Sequence, residues 1–291
     1  MTPMIDMENV TIDYTTRGTQ VRALDGATLR VAARETVGLV GESGSGKSTL
    51  GLLAGRLLPR NAAVTGGRVR VDGQDVLALD PQRLRALRRD CLGYIPQDPV
   101  AALDPTMRIG WQLALALRGL PNDTANLLRH LDSVRIREPQ RVLRLFPHQI
   151  SGGMAQRVMI AMAMARAPRV LVADEPTAAL DSSARAEVTK LIFSLATEAG
   201  TTVLWLSHDL RSVGRWCRRV VVMYGGKVVE DGPAAQVLQQ PTHPYTIALS
   251  AADPARAKPG QRIEIQPFSA IGADADGMHA PPARAVGGAA R

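Results

Sequence analysis

The chain has 291 residues, of which 45% are hydrophobic and 21% are charged, a composition typical of a globular protein. Its 35 basic and 27 acidic residues give a formal net charge of +8, which suits an anionic partner: a phosphate ligand, nucleic acid or a membrane surface. The longest apolar run, residues 158–165, is far shorter than the roughly 18 residues of a membrane-spanning helix.

The first 71 residues are predicted to be rich in β-strand. Residues 1–14 include acidic side chains and lack the basic and apolar segments of a secretory signal, so we expect a cytoplasmic protein. Alternating apolar and polar residues indicate half-exposed antiparallel strands at 10–14, 29–31 and 68–71. The apolar run at 36–40 instead indicates a strand that is buried on both faces.

A glycine-rich phosphate-binding loop follows this buried strand. Residues 41–48 read GESGSGKS and lead into a helix that is expected to end by Pro59. In such a loop, backbone N–H groups surround a phosphate, Lys47 reaches the β and γ oxygens, and Ser48 holds Mg²⁺. The plain structural alternative is a strand-to-helix turn that binds no nucleotide.

Residues 81–165 are predicted to be helical and to form a second lobe. Leucines recur there at helical spacing, at positions 113, 117, 127 and 131. Near its end, Ser151 is a good N-cap for a helix expected over 151–165, and two glycines after it leave backbone amides uncovered. The alternative is an ordinary capped helix whose buried stripe comprises residues 154, 158, 161 and 165.

Strand and helix patterns alternate after this lobe, which indicates a parallel sheet. Strands are expected at 170–173 and 203–206, a helix at 184–197 and a hairpin at 220–230. The first of these strands ends in Asp174 and Glu175, which can hold the water shell of Mg²⁺ and polarise an attacking water, or can simply cap the strand in solvent. A helix over 151–165 spans about 22 Å, so Ser151 is expected to serve a nucleotide held by another subunit.

With these motifs, the sequence resembles the ATP-binding subunit of an ABC transporter. The resemblance covers about residues 4–250 and consists of six motifs in the order of that family. They are the P-loop at Gly41, the glutamine loop YIPQDP at 94–99, the signature at Ser151, the pair Asp174 and Glu175, the D-loop at 179–181, and the histidine switch at 207–209.

The resemblance implies an α/β fold, with a P-loop NTPase core on a mixed sheet. It also implies an N-terminal antiparallel β subdomain and a helical lobe that bears the signature, at about 98–165. We expect an ABC ATPase domain over 4–253 and a C-terminal extension over 254–291, disordered from about 272.

The resemblance also assigns roles to individual residues. Glu175, His208 and Gln97 are the implied catalytic residues, and Ser48, Gln97 and Asp174 the implied Mg²⁺ site. Those implied in ATP binding are Tyr14, against adenine, together with Gly41, Ser43, Gly44, Gly46, Lys47, Ser48 and Thr49; Ser151 and Gly153 complete the partner's ATP site, and Asp181 links the two sites. Met154 departs from the glutamine most common in the family, although methionine is usual in its peptide-importer branch.

Three further segments resemble the branch that imports dipeptides, oligopeptides or nickel: residues 97–105, 146–154 and 241–246. The spacer at 61–65 favours the first of the two paired ATPases of that branch. The implied partners are a second ATP-binding subunit in a heterodimer, two transmembrane permeases and an extracytoplasmic solute-binding protein. The chain would then lie at the cytoplasmic face of the cell membrane. With only Cys91 and Cys217, we expect no iron–sulfur cluster.

Three other functions remain to be weighed against import. One is the ATP-binding component of a phosphonate-processing system, which shares much of this sequence. A second is an ATPase that acts on nucleic acid; the pI of about 10.2 favours it, but too few residues separate Lys47 from Ser151 for the insertions of such proteins. Nucleic acid is therefore not an expected partner. The third, an inactive regulatory subunit, conflicts with the intact motifs. The sequence does not indicate which solute is carried.

Overall fold

The computed structural model describes residues 2–16 and 18–251, which fall into two compact units. One unit ends at Gln240, and the other begins at Pro241 and contains one described helix. The extension expected over 254–291 lies outside the described residues. The strands, in chain order, are β1 (Ile5–Thr16), β2 (Thr19–Val31), β3 (Thr36–Val40), β4 (Ala62–Val71), β5 (Gln74–Asp75), β6 (Leu92–Ile95), β7 (Val170–Asp174), β8 (Thr202–Ser207), β9 (Arg219–Tyr224) and β10 (Lys227–Pro233).

The helices alternate with strands over much of the chain. None of those in the described part is both long enough and apolar enough to cross a membrane. In order they are α1 (Lys47–Leu53), α2 (Pro81–Asp90), α3 (Pro99–Ala102), α4 (Ile109–Ala116), α5 (Thr124–Ser133), α6 (Pro139–Val142), α7 (Gly152–Met164), α8 (Ser182–Glu198), α9 (Leu210–Trp216), α10 (Ala234–Gln239) and, in the second unit, α11 (Pro244–Ala251).

An antiparallel sheet forms the N-terminal layer, with strand order β2-β1-β4-β5. Its inner face carries buried side chains such as Ile5 and Met7, because alternate residues of a strand point to the same face. A register shift between Met7 and Val10 moves the alternation by one residue, so that Val10 and Ile12 are buried as well. On the outer face, Arg30 pairs with Asp6, and neighbouring ion pairs join the three longer strands. The half-exposed antiparallel strands predicted from the sequence are therefore confirmed.

A second, mixed sheet has the order β10-β9-β3-β8-β7-β6. Four of the sequence motifs lie at the carboxyl ends of its strands β3, β6, β7 and β8. All of its neighbouring strands run parallel except β10, which returns from β9 as an antiparallel hairpin. Every residue of β7 and of β8 is buried, as is nearly all of β3. The parallel strands point their carboxyl ends to one edge, where ligands bind in open α/β sheets.

The mainly helical pattern predicted over 81–165 is wrong at residues 92–95, which form β6. This segment has only four residues, too few for a periodic signal, and its apolar residues continue the helical spacing of α2. Its conformation is set by parallel pairing with β7, from Leu92 opposite Val170 to Ile95 opposite Ala173. The pairing is long-range, so local sequence does not indicate it.

The helix predicted after Ser151 is confirmed as α7, which packs against α3, α4 and α5. Its predicted buried stripe is right at Val158, Ala161 and Ala165 but wrong at Met154, which is only half-buried. Met154 lies in the first turn, and this end of the helix extends into solvent.

Close packing between β3 and α9 leads to a prediction about stability. A Cβ at Gly38 would lie 1.9 Å from Cγ1 of Val213, a side chain whose branching at Cβ prevents an easy shift. We expect Gly38→Ala to lower the free energy of unfolding by about 1–3 kcal/mol through overpacking. Gly66→Ala is the matched control, since its Cβ would meet Thr11 at an ordinary 3.6 Å. Urea unfolding of both variants tests this, and equal stabilities would contradict it.

Candidate nucleotide-binding and hydrolysis site

The glycine-rich loop at 41–46 joins β3 to α1 and is pressed against β2. Gly46, the residue before α1, has φ of 101°, in the left-handed region that favours glycine. A Cβ at this position would lie 2.7 Å from both the carbonyl oxygen of Ala23 and Cδ2 of Leu24. A glycine is therefore needed here both for backbone conformation and for space. Ser43 and Gly44, at the tip of the loop, are exposed, whereas Gly41 is buried.

Lys47 is the first residue of α1, and its side chain is buried beneath the loop. Its Nζ donates hydrogen bonds to the carbonyl oxygens of Gly41 and Glu42, both at 2.8 Å. Burial lowers the pKa of Lys47, while the negative charges of Glu175, Asp174 and Glu42 act in the opposite direction. The ammonium group thus holds the loop closed from inside and faces the two carboxylates across the sheet edge.

Asp174 ends β7, and only 5% of it is exposed. Each of its carboxylate oxygens accepts a hydrogen bond: Oδ1 from Ser48 Oγ at 3.0 Å, and Oδ2 from the Tyr94 hydroxyl at 3.1 Å. Burial raises the pKa of Asp174, and Glu175 adds to this, while the two hydrogen bonds and Lys47 oppose it. The carboxylate is therefore fixed in direction and paired from both sides.

Sequence analysis gives no role to Tyr94, although this residue lies in the glutamine-loop segment at 94–99. It pairs with Val172, two residues before Asp174 on the neighbouring strand. Burial, with help from Asp174, raises the pKa of the Tyr94 phenol well above its ordinary value, so the hydroxyl keeps its proton and acts as a donor. The signal that would have found it is the register between β6 and β7.

Glu175 follows Asp174 and meets His208 from the end of β8. Its Oε2 lies 3.0 Å from Nδ1 of His208, and its backbone N–H donates to the carbonyl of Leu206 at 3.0 Å. The Glu175 side chain is 16% exposed and that of His208 is 62% exposed. Glu175 has φ of 44°, a conformation that L-residues adopt at a cost and that is enriched at functional sites.

Tyr14 and Gln97 reach the same region from other strands. The Tyr14 hydroxyl lies 3.2 Å from Oγ1 of Thr49, which ties β1 to the first turn of α1. Gln97 is exposed and follows β6, the strand beside β7, so the parallel register brings it to the edge that holds Asp174. The structure therefore gathers residues from β1, β3, β6, β7 and β8 around the phosphate-binding loop.

Two other predicted site regions, the N-terminal ends of α7 and α8, are exposed. Ser151 caps α7 by accepting from the N–H of Met154 at 3.3 Å, and a Cβ placed on Gly152 or Gly153 would meet no described atom within 4 Å. Asp181 caps α8 by accepting from the N–H groups of residues 183 and 184, both at 3.0 Å, and is itself exposed. Both helix ends are open to solvent in the single chain.

The strand, glycine-rich loop and helix with Lys47 and Ser48, beside an acidic strand end, define a P-loop nucleotide-binding protein. The model of the ABC transporter family matches residues 24–178, more than half of the chain. The chain belongs to the ABC transporter family.

Named relatives support this assignment over most of the chain. A protein named as a peptide import ATP-binding protein in Brucella abortus (strain 2308) is 41% identical over 257 residues, which are 87% of this chain and 77% of the relative. The oligopeptide transport ATP-binding protein OppD of Salmonella typhimurium is 38% identical over 256 residues, 86% of this chain and 76% of the relative.

Solved structures agree with the fold. The dimeric, post-hydrolysis structure of the ATP-binding cassette MJ0796 bound to ADP and Pi is similar with a TM-score of 0.70 and 31% identity. That likeness covers 79% of this chain and 99% of the other. The structure of cbiO1 from Clostridium perfringens has a TM-score of 0.69 and 25% identity, over 82% of this chain and 92% of the other. The predicted fold class, an α/β P-loop core on a mixed sheet, is confirmed.

The buried ammonium group predicts a loss of ATP affinity on substitution. Lys47→Met keeps the unbranched stem of the side chain but removes the ammonium group, with its charge and both of its hydrogen bonds to the loop. A hydrogen bond from a charged donor contributes about 1.5–3 kcal/mol, so the loss of one such bond to phosphate is expected to lower ATP affinity about 10- to 100-fold. Titration with a fluorescent ATP analogue measures this. Lys190→Met, on the exposed face of α8, is the control and should bind as the wild type does; equal affinity of both variants would contradict the prediction.

Proposed function

We propose that this chain is the ATP-binding and ATP-hydrolysing subunit of an ABC importer for dipeptides, oligopeptides or a related solute. The observation that carries the ATPase function is the convergence of Lys47, Ser48, Asp174, Glu175 and His208 at one sheet edge. The solute class follows the names of the relatives, which are peptide and oligopeptide transport ATP-binding proteins.

ATP binding is assigned to the loop and to the residues around it. Lys47 would turn its ammonium group from the carbonyls of Gly41 and Glu42 toward the β- and γ-phosphates, while the exposed tip of the loop supplies backbone N–H donors. Tyr14 would place its ring against adenine, an arrangement that its anchor to Thr49 supports.

A magnesium site fits the oxygen groups beside the loop. Ser48 Oγ and Asp174 Oδ1 lie 3.0 Å apart, and hydroxyl and carboxylate oxygens are the donors that Mg²⁺ prefers. Ser48 would bind the cation directly, with Asp174 and Gln97 holding its water ligands. When bound, Mg²⁺ neutralises phosphate charge and orients the γ-phosphate for in-line attack.

Glu175 is proposed as the general base of hydrolysis. Its carboxylate would accept a proton from the water that attacks the γ-phosphorus, as the new P–O bond forms and the bond to the β-phosphate oxygen breaks, releasing ADP. His208 holds Glu175 through Oε2 and stands where it can also contact the γ-phosphate. The left-handed backbone at Glu175 turns this side chain out of the alternation of β7.

The open end of α7 supports pairing with a second ATP-binding subunit. Its uncovered amides at 152 and 153 form an anion-binding helix terminus with no described occupant from this chain, and ATP on the partner would complete it. Asp181 would lie between the two sites. ATP that contacts both subunits only when they are closed provides the differential affinity that drives closure. We propose a heterodimer, as the branch implies.

The helices that follow Gln97 support contact with transmembrane permeases. Trp111 and Leu115 lie one turn apart on α4 and are 71% and 57% exposed, and Val100 on α3 is also exposed. Exposed large apolar side chains that lie side by side, as Trp111 and Leu115 do, are typical of interaction surfaces. The subunit would then work at the cytoplasmic face of the cell membrane, with a solute-binding protein on the other side.

Loss of the proposed base should separate ATP binding from hydrolysis. Glu175→Gln keeps the size of the side chain but cannot accept the proton, so the hydrolysis rate is expected to fall about 100-fold or more. ATP should still bind and should hold the paired subunits together, as measured by gel filtration with and without ATP. Glu198→Gln, on the exposed end of α8, is the matched control and should hydrolyse ATP normally. Unimpaired turnover by the Glu175→Gln complex would overturn the role of Glu175.

The ATP-bound dimer expected for the Glu175→Gln variant also tests the role of the N-terminal end of α7. Gly153→Asp added to Glu175→Gln places a negative charge where the partner's ATP is expected, and its side chain has open space in the single chain. We expect ATP binding by the isolated subunit to be unchanged and the ATP-dependent dimer to be lost. A dimer that persists would exclude this end of α7 from the interface.

The solute is identified by transport with the intact complex. The complex is purified with its permeases, reconstituted in liposomes, and supplied with its solute-binding protein and with dipeptides, oligopeptides or nickel chelates. Stimulation of ATP hydrolysis and uptake by a peptide is the expected result. Stimulation by nickel chelates alone, or isolation with soluble phosphonate-processing enzymes and no permease, would overturn the peptide assignment.

A further inference from the structure

The hydroxyl of Tyr94 contacts the proposed magnesium site but has no role in the mechanism described above. It donates to Oδ2 of Asp174 at 3.1 Å, while the Ser48 hydroxyl donates to Oδ1 at 3.0 Å. The two donors come from different elements, β6 and α1, and approach the carboxylate from different sides. One carboxylate oxygen is therefore held by the phosphate-binding helix and the other by a neighbouring strand.

The sheet register explains why a tyrosine reaches this carboxylate. Tyr94 pairs with Val172 in the parallel ladder between β6 and β7. Residues 172 and 174 lie on the same face of β7, about 6.6 Å apart along the strand. A side chain opposite Val172 must extend forward by about this distance to touch Asp174, which the long phenol ring of Tyr94 does. The contact is thus built into the pairing of two buried-sheet strands.

The two donors differ in what else they serve. Ser48 is exposed at the edge and is itself proposed to bind the cation, so its substitution would disturb both metal and phosphate binding. Tyr94 is half-buried, and its hydroxyl touches the magnesium site only through Asp174. Removal of that hydroxyl therefore frees one end of the carboxylate and leaves the phosphate-binding loop intact.

We propose that Tyr94 is a positioning residue for the magnesium site, which holds the Asp174 carboxylate in the orientation that serves the cation and so sets the affinity for Mg²⁺. The proposal rests on the proposed ATPase function. Side chains that orient metal ligands by hydrogen bonds typically change metal affinity 10- to 100-fold when they are altered. Because Ser48 still holds the other oxygen of Asp174, we expect an effect of about tenfold, at the low end of this range.

Tyr94→Phe tests the role of the hydroxyl, since it retains the ring. A fluorescent ATP analogue is bound to the purified full chain, first in EDTA and then at increasing concentrations of Mg²⁺. We expect equal affinities in EDTA and an approximately tenfold higher Mg²⁺ concentration for half-maximal enhancement of binding by the variant. The Mg²⁺ dependence of ATP hydrolysis by the complex should shift by the same factor, with a rate near that of the wild type at saturating Mg²⁺.

A double-mutant cycle distinguishes an effect through Asp174 from an effect on packing. In an Asp174→Asn background the anionic target of Tyr94 is gone, so adding Tyr94→Phe should change the Mg²⁺ dependence little further. Thermal unfolding of Tyr94→Phe should show no more than the small loss expected for one hydrogen bond, since the ring still fills its place. Additive effects of the two substitutions would overturn the proposal.

Three further outcomes are decisive. If Tyr94→Phe has the Mg²⁺ dependence of the wild type, the hydroxyl does not position Asp174, and the proposal fails. If the affinity of the variant for ATP in EDTA also falls about tenfold, Tyr94 supports the fold of the site, and the proposal also fails. If the wild-type chain shows no Mg²⁺-dependent ATP binding, the proposed function itself fails. The first two results would leave that function standing.

Discussion

The parallel pairing of β6, β7, β8 and β3 is the constraint on which the site depends. Hydrogen bonds along these ladders fix the relative heights of four strand ends, so the loop before Lys47, the carboxylate of Asp174 and the ring of His208 lie at one level. A slip of one residue in any ladder would move a side chain to the opposite face. The relative positions of these side chains are therefore fixed by the backbone pairing of strands that are almost entirely buried.

The charges at this edge stabilise one another in surroundings that disfavour each of them alone. Burial lowers the pKa of Lys47 and raises that of Asp174, while the attraction between them opposes both shifts. A buried charge is costly unless it is paired and hydrogen-bonded, and each of these two groups has hydrogen-bond partners in addition to its counter-charge. In the proposed ATP complex, the Lys47 ammonium group would exchange its two carbonyl partners for phosphate oxygens and would keep its buried place beneath the loop.

Sequence reasoning recovered the parts of the site that local chemistry determines. The loop before Lys47 could be found because glycines and a lysine are required at fixed spacing, and α7 because Ser151 is a strong N-cap. Residues 92–95 could not be found as a strand, since long-range pairing decides their conformation. Tyr94 was missed for the same reason: its contact with Asp174 depends on the register of two strands that are far apart in the chain.

The backbone at Glu175 connects the chemistry of this protein with its stability. A glutamate at φ of 44° occupies a conformation that typically costs about 1–3 kcal/mol and that glycine or asparagine would adopt more easily. If Glu175 is the general base proposed above, the fold gives up part of its stability margin to keep a carboxylate beside His208. Inactive descendants of such a chain, once released from that demand, would be free to drift toward a more stable and catalytically silent form.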